Sequence, residues 1–95
     1  MSARQMTLED FSGSVGEPYE VELNGATHEL RLIEATPLPD SGREGGAFRL
    51  EFLGPCDPIL EQAIRRFRRG AEEHEIFIVP IARDTQGTRY EAIFY

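Results

Sequence analysis

The sequence predicts a mainly β protein, with about six antiparallel strands in a small barrel or sandwich and a short N-terminal helix. Residues 74–95 contain two runs of β-branched and aromatic residues around the polar break 84–87, which is the pattern of a β-hairpin. Nearer the N-terminus, Asn24-Gly25 lies between two further runs, and both residues tolerate the positive φ of a tight hairpin turn. Successive hairpins favour an antiparallel barrel or sandwich.

The N-terminal helix is predicted from its capping residues and its spacing. Thr7 occupies the N-cap position and Asp10 follows three residues later, as in a capping box. Leu8, Phe11 and Val15 form one apolar stripe. The glycines that follow limit the helix to about two turns, so we expect it to cover one end or face of a sheet.

Three strands follow from alternation of apolar and polar residues. Residues 19–23 alternate, 27–35 form the return arm of the hairpin, and 47–53 place their apolar residues on one face. The alternation breaks near Ile33, which indicates a bulge. Residues 36–46 are rich in glycine and proline and are predicted to be a loop.

The segment that follows is ambiguous between a helix and a strand. By periodicity it is a helix at 58–71, with Asp57 as N-cap, and the protein would then be α+β. As a strand it would supply a hairpin partner for the run Ile76 to Ala82. That run is apolar on both faces, so we expect closure of the sheet or a dimer to cover its outer face. Pro80 within it indicates a bulge or an edge position.

Length and composition indicate one domain, residues 1–95, folded in the cytoplasm. The chain is long enough for a single core, contains no apolar run long enough to span a membrane, and begins without an apolar signal segment. A net charge of −7 argues against nucleic acid or an anionic membrane as the main partner. All ten basic residues are arginine, which excludes lysine-based Schiff-base and P-loop chemistry.

The residues that most often carry chemistry are few and scattered. His28, His74 and Cys56 lack the short spacing of a zinc site or the surroundings of an activated nucleophile. Paired acidic residues have no flanking apolar pocket that would raise a pKa for acid catalysis. The sequence therefore predicts no catalytic residue, no metal site and no cofactor.

One local departure from the acidic composition is a candidate interaction surface. The basic run on 65–69 would hold phosphate or an acidic protein partner, including a second copy of the chain, unless it is paired with nearby acids. The final residue is the aromatic side chain most expected to be exposed. The candidate interaction residues are Arg65, Arg66, Arg68, Arg69 and Tyr95.

Several motifs in this order resemble a bacterial family of small single-domain proteins that is classed as a domain of unknown function. In its members the segment matching 62–69 is strand-like, with a glycine near Ala63 and an aromatic residue near Arg65. Both are replaced here, but the resemblance still favours a strand over a helix. It also implies gene neighbourhoods with phage-tail-collar-type proteins. The motifs are T-L-E-D-F at 7–11, E-A-T-P-L-P at 34–39, F-R-L-E-F-L-G-P at 48–55, E-I-F-I-V-P-I-A-R-D at 75–84 and R-Y-E-A-I-F at 89–94.

These observations favour a non-catalytic structural or protein-interaction module, linked through the resemblance to a phage-tail-like assembly. A protein partner, including the chain itself as a homo-oligomer, is expected. The alternative is a small-molecule-binding β-barrel whose mouth is ringed by the 36–46 loop. Such a domain would have a pocket lined by aromatic residues with a few polar groups.

Overall fold

A computed structural model describes residues 6–23, 25–38, 47–57 and 59–94 and confirms the mainly β prediction. Six antiparallel strands close into a barrel in the order β1-β2-β3-β6-β5-β4, preceded by one short helix. The elements are α1 Glu9–Ser12, β1 Pro18–Leu23, β2 Ala26–Leu38, β3 Ala47–Gly54, β4 Ala63–Arg69, β5 Glu72–Asp84 and β6 Gly87–Phe94.

The barrel interior is filled by the inward side chains of all six strands. Alternate residues of each strand point inward, so the apolar half of each alternating run becomes the core. Tyr19 packs edge-on against Phe52 at a centroid distance of 5.9 Å, and Phe52 lies 4.7 Å from Phe67. The large fully buried side chains of the strands are Tyr19, Val21, Leu30, Leu32, Phe48, Leu50, Phe52, Phe67, Ile76, Ile78 and Tyr90.

Bulges in the two longest strands let each of them serve two neighbours. The first part of β2 pairs with β1 and the second part with β3, and the register shifts between Leu32 and Glu34. In the same way β5 pairs first with β4 and then with β6, with a shift between Pro80 and Ala82. The irregularities predicted near Ile33 and Pro80 are confirmed, and they bend the strands enough to close the barrel.

The N-terminal helix is shorter than predicted. It is a single turn with Leu8 at the N-cap and no side-chain cap, although the Thr7 N–H donates to the Asp10 carboxylate at 2.8 Å. The helix ends at its C-cap, Gly13. Gly16, at φ +95°, then turns the chain so that its N–H donates to the Leu32 carbonyl at 2.6 Å. Phe11 is fully buried, so this segment plugs one end of the barrel.

The alternative helix at 58–71 is wrong, because residues 63–69 form β4. This strand pairs with β5 along its whole length and with β1 at two positions, so its backbone bonds lie between strands. The residues before it plug the other end of the barrel. Leu60 is buried there, and its N–H donates to the Tyr90 hydroxyl at 2.8 Å.

The barrel consists of two similar halves related by a pseudo-two-fold axis. We define half 1 as residues 18–54 (β1 to β3) and half 2 as residues 63–94 (β4 to β6). If β1 is exchanged with β4, β2 with β5 and β3 with β6, the order of the strands around the closed barrel is unchanged. The register obeys the same exchange, since Phe48 pairs with Phe94 while Gly54 pairs with Thr88, and Glu51 faces Glu91 at the centre.

The sequence contains a weak internal repeat that matches the two halves. H-E-L-R-L-I at 28–33 corresponds to H-E-I-F-I-V at 74–79, and R-L-E-F at 49–52 corresponds to R-Y-E-A at 89–92. The repeat is interrupted because half 1 joins its second and third strands through 39–46, whereas half 2 uses the two-residue turn 85–86. Each half is preceded by its own plug segment, which ends the barrel on that side.

Candidate interaction surface

The four arginines predicted as an interaction surface do not share one face of the barrel. Successive residues of a strand point to opposite faces. Phe67 is fully buried, so Arg65 and Arg69 lie on its inward side toward the two ends of β4, while Arg66 and Arg68 lie on the outer face. The run is continuous in sequence but divided in space. Tyr95 lies outside the described residues.

Three of these arginines contact neighbouring groups of the same chain. In the register, the fourth, Arg68, lies between Glu20 on β1 and Glu73 on β5. The positive charge of β4 is therefore largely balanced where it stands. The contacts are Arg66 with Glu73 (3.3 Å), Arg69 with Glu72 and Glu17 (both 3.3 Å), and Arg65 with the carbonyl oxygen of Glu61 (2.8 Å).

A row of exposed apolar side chains crosses three neighbouring strands on the outer face of half 2. We call Ile64, Phe77 and Ile93 the apolar row. Ile64 on β4 and Phe77 on β5 are register partners, and their exposed fractions are 65% and 51%. Ile93 on β6 is 39% exposed. Within the described chain, nothing covers these side chains.

The apolar row explains the two-sided character of the run 76–82. Ile76 and Ile78 point into the core, whereas Phe77 between them points outward. Closure of the barrel thus covers only one face of this run. The sequence pointed to Phe77 through this pattern, but it gave no sign that Ile64 and Ile93 would join it, because that depends on the pairing of β4, β5 and β6.

A network of ion pairs borders the apolar row. Arg49, the register partner of Ile93, contacts the carboxylates of Glu51 at 2.6 Å and Glu91 at 2.5 Å. Arg89 contacts Glu51 at 3.2 Å, so the pairs Arg49–Glu91 and Arg89–Glu51 are exchanged by the pseudo-two-fold axis. This network fixes the outer face around the axis.

An open groove of about 350 Å³ lies on the outer face of half 1. Arg31 and Leu53 are register partners within it, and Arg31 makes no ion pair with any residue in the described part of the chain. Its apolar surface comes from Leu53 and Pro55. The lining residues are Glu29, Arg31, Leu53, Gly54, Pro55 and Gln86.

The histidines and the cysteine lie apart. His28 pairs with Val21 and His74 with Phe67, so two strands separate the imidazoles. The His74 ring lies 5.0 Å from the Phe11 ring, between centroids, and 3.3 Å from the Glu72 carboxylate. No group of three or more metal-ligating side chains occurs within 6–23, 25–38, 47–57 and 59–94. Cys56 donates to the Asp84 carbonyl at 3.3 Å.

A sequence profile described as a domain of unknown function, DUF6916, matches residues 6–94. The chain belongs to this family. No curated protein and no solved structure matches it significantly. The match supports the resemblance read from the motifs and assigns no activity to the DUF6916 fold described above. Of the helical residues that the structure describes, none forms a helix long and apolar enough to cross a membrane.

The ion-pair network of this DUF6916 domain shifts the pKa of its central carboxylate. Burial raises the pKa of Glu51, but hydrogen bonds from Arg49 and Arg89 oppose it and leave the pKa below the ordinary value of 4.5. The hydrogen bonds that the Arg49 guanidinium donates to the carboxylates of Glu91 and Glu51 raise the pKa of Arg49. Because the folded-state pKa of Glu51 is lowered, its contribution to stability is complete above the unfolded pKa and is lost as the pH falls through the folded value.

We therefore expect the free energy of unfolding to fall on acidification below about pH 4.5, and to fall less steeply in Glu51→Gln. Urea unfolding at a series of pH values measures both slopes. Glu22→Gln, a change at an exposed carboxylate, is the matched control and is expected to retain the wild-type slope. An unchanged slope in Glu51→Gln would show that the network does not link stability to pH.

Proposed function

We propose that this DUF6916 domain is a non-catalytic module that binds another protein through the apolar row. The observation that carries the proposal is the exposure of Ile64, Phe77 and Ile93 on three adjacent strands of the closed barrel. Single exposed apolar residues are common on proteins, but contiguous ones rimmed by charge are typical of interaction sites. Phenylalanine and isoleucine at such a site gain roughly 25 cal/mol for each Å² of apolar surface that a partner covers.

The surroundings of the apolar row suit a protein partner. Arg49 and Glu91 border it on one side, and Arg66 with its partner Glu73 borders it on the other. A rim of paired charges around an apolar centre orients a partner and excludes water from the contact. The paired arginines and the net charge of −7 favour a protein over a phosphate backbone.

A small-molecule-binding barrel has less support. The interior is occupied by packed aromatic and aliphatic side chains, such as Tyr19, Phe52 and Phe67, and the plug residues Phe11 and Leu60 enter its two ends. A ligand would have to use the barrel mouth near the predicted loop 36–46. Of that segment, residues 36–38 are the end of β2 rather than a loop, because they pair with β3, and residues 39–46 lie outside the described part. The phage-tail-like association implied by the sequence resemblance also stays a prediction.

Photo-crosslinking tests the proposal directly. Benzoyl-phenylalanine at position 77 places a reactive group within the apolar row, and illumination in the native cells is expected to give discrete protein adducts of the full chain. The same residue at Glu9, an exposed position on α1, is the control and is expected to give none of these adducts. Mass spectrometry then identifies the partner in each adduct.

The outcomes separate the class of partner. Adducts that contain a foreign protein, or a second copy of the chain, support a protein-binding role. If position 77 gives no adduct beyond those of position 9, the apolar row is not a binding surface and the proposed function fails. The thermal unfolding of each substituted protein is compared with that of the wild type, which shows whether the substituted protein is folded.

A further inference from the structure

We propose that the partner is a second copy of the chain, whose groove on half 1 receives the apolar row of half 2. This inference rests on the proposed function, since it names the partner of the same apolar row. Each copy would carry one projecting apolar row and one groove. Copies would then associate head to tail through unlike surfaces.

The pseudo-two-fold axis places the two surfaces at equivalent positions of the barrel. In half 2 the row consists of Ile64, Phe77 and Ile93, and in half 1 the corresponding residues are Pro18, Arg31 and Leu53. The register confirms the match in half 1, because Arg31 pairs with Pro18 on one side and with Leu53 on the other. Equivalent positions on three strands thus carry large apolar side chains in half 2, whereas in half 1 two of them, Arg31 and Leu53, line a groove.

The shapes and side chains of these surfaces are complementary. The groove offers Leu53 and Pro55 to an apolar side chain, and it has room for one, with a volume of about 350 Å³. Arg31 lines the groove without an ion pair in the described chain. A guanidinium of this kind stacks on an aromatic ring, and Phe77 is the aromatic ring of the apolar row.

The charges favour the unlike contact over a contact of two apolar rows. Half 1, residues 18–54, carries seven acidic and three basic residues, a net charge of −4. Half 2, residues 63–94, carries five acidic and six basic residues, a net charge of +1. Row against groove joins halves of opposite net charge, whereas row against row joins two halves of the same sign.

A contact between unlike surfaces has a consequence that a symmetric dimer does not share. Each bound copy still offers a free row at one end and a free groove at the other, so association continues to a ring or a filament. Blocking either surface on every copy stops association. Two differently blocked variants, however, still have one intact row and one intact groove between them.

Mixing such variants is the test. Phe77→Ser removes the aromatic ring of the row without adding a charge that could pair with Arg31, and Arg31→Glu blocks the groove. Both positions are on the outer face, away from the core. By light scattering we expect wild-type assemblies that grow with protein concentration, while each variant alone has the 10.7 kDa mass of one chain. An equimolar mixture is expected to give twice that mass and no more. Val15→Ser, a matched change at an exposed apolar residue outside both surfaces, should assemble as the wild type does.

Other outcomes overturn the inference in identifiable ways. If Phe77→Ser is monomeric but Arg31→Glu still dimerises, the rows bind each other and the groove has no part. If the wild type is monomeric at every concentration, or the mixture stays monomeric, the head-to-tail contact does not exist. In that case, adducts between position 77 and a foreign protein would still support the proposed function. If position 77 gives no adducts at all, both the proposed function and the head-to-tail contact are excluded.

Discussion

Replacing Gly87 with alanine is expected to destabilise the fold by about 3 kcal/mol or more. Gly87 begins β6 at φ +143°, a backbone conformation that side chains disfavour. A Cβ there would overlap the carbonyl oxygen of Gly54 on the neighbouring strand β3 and crowd the Leu53 side chain. Backbone cannot move aside as the tip of a flexible side chain can, so β3 and β6 would have to separate. Urea unfolding measures the loss.

Gly25→Ala is the matched control for this prediction. Gly25 also has a positive φ, +80°, but a Cβ there would have no neighbour within 4 Å. Its replacement is expected to cost only the backbone strain, about 1 kcal/mol. If the two variants lose similar stability, the close approach of Gly87 to Gly54 does not constrain the barrel.

Replacing Phe11 with alanine is expected to destabilise the protein by about 3 kcal/mol, although α1 is only one turn long. The Phe11 ring is fully buried and lies 5.0 Å from His74, 6.0 Å from Phe48 and 6.3 Å from Phe94, between ring centroids. Its loss leaves a cavity between the plug segment and the end of the barrel, which few other contacts can close. Chemical unfolding of the variant measures the effect.

Val15→Ala is the comparison within the same segment. The Val15 side chain is about half exposed, so its truncation is expected to change stability by no more than about 0.5 kcal/mol. Hydrogen exchange at the Gly16 N–H, which donates to the Leu32 carbonyl, would show whether the segment detaches in the Phe11 variant. A Phe11 variant as stable as the Val15 variant would mean that the plug does not contribute to the core.

The candidate surface shows how a local pattern can mislead and still be informative. The arginines of 65–69 are adjacent in sequence, and a strand divides them between two faces. Their acidic partners lie elsewhere in the fold: Glu72 and Glu73 are on β5, and Glu17 lies just before β1. The pattern at 76–82 was the more useful signal. It places an apolar residue, Phe77, on the outer face, where packing in the core cannot account for it. The internal repeat was detectable in principle from His28-Glu29 and His74-Glu75, but a few shared residues at unequal spacing form a weak signal.

The sequence by itself determined the β class, the hairpins and most of the inward-facing residues. Alternation and turn chemistry, as in Tyr19 to Leu23 and at Gly25, act over a few residues and are therefore visible in a single chain. The irregularity at Pro80 was visible for the same reason, since proline lacks the N–H that a regular strand pair requires.

Only the tertiary structure decided between helix and strand at 63–69, and between a covered and an exposed outer face at Phe77. The period of that segment fits a helix, but β1 and β5 supply hydrogen-bond partners on its two sides, so pairing prevails over periodicity. The pseudo-two-fold axis and the apolar row are also products of pairing between distant strands. Ile64 and Ile93 lie far apart in sequence, and only the closure of the barrel brings β4, β5 and β6 side by side to place them on the same surface as Phe77.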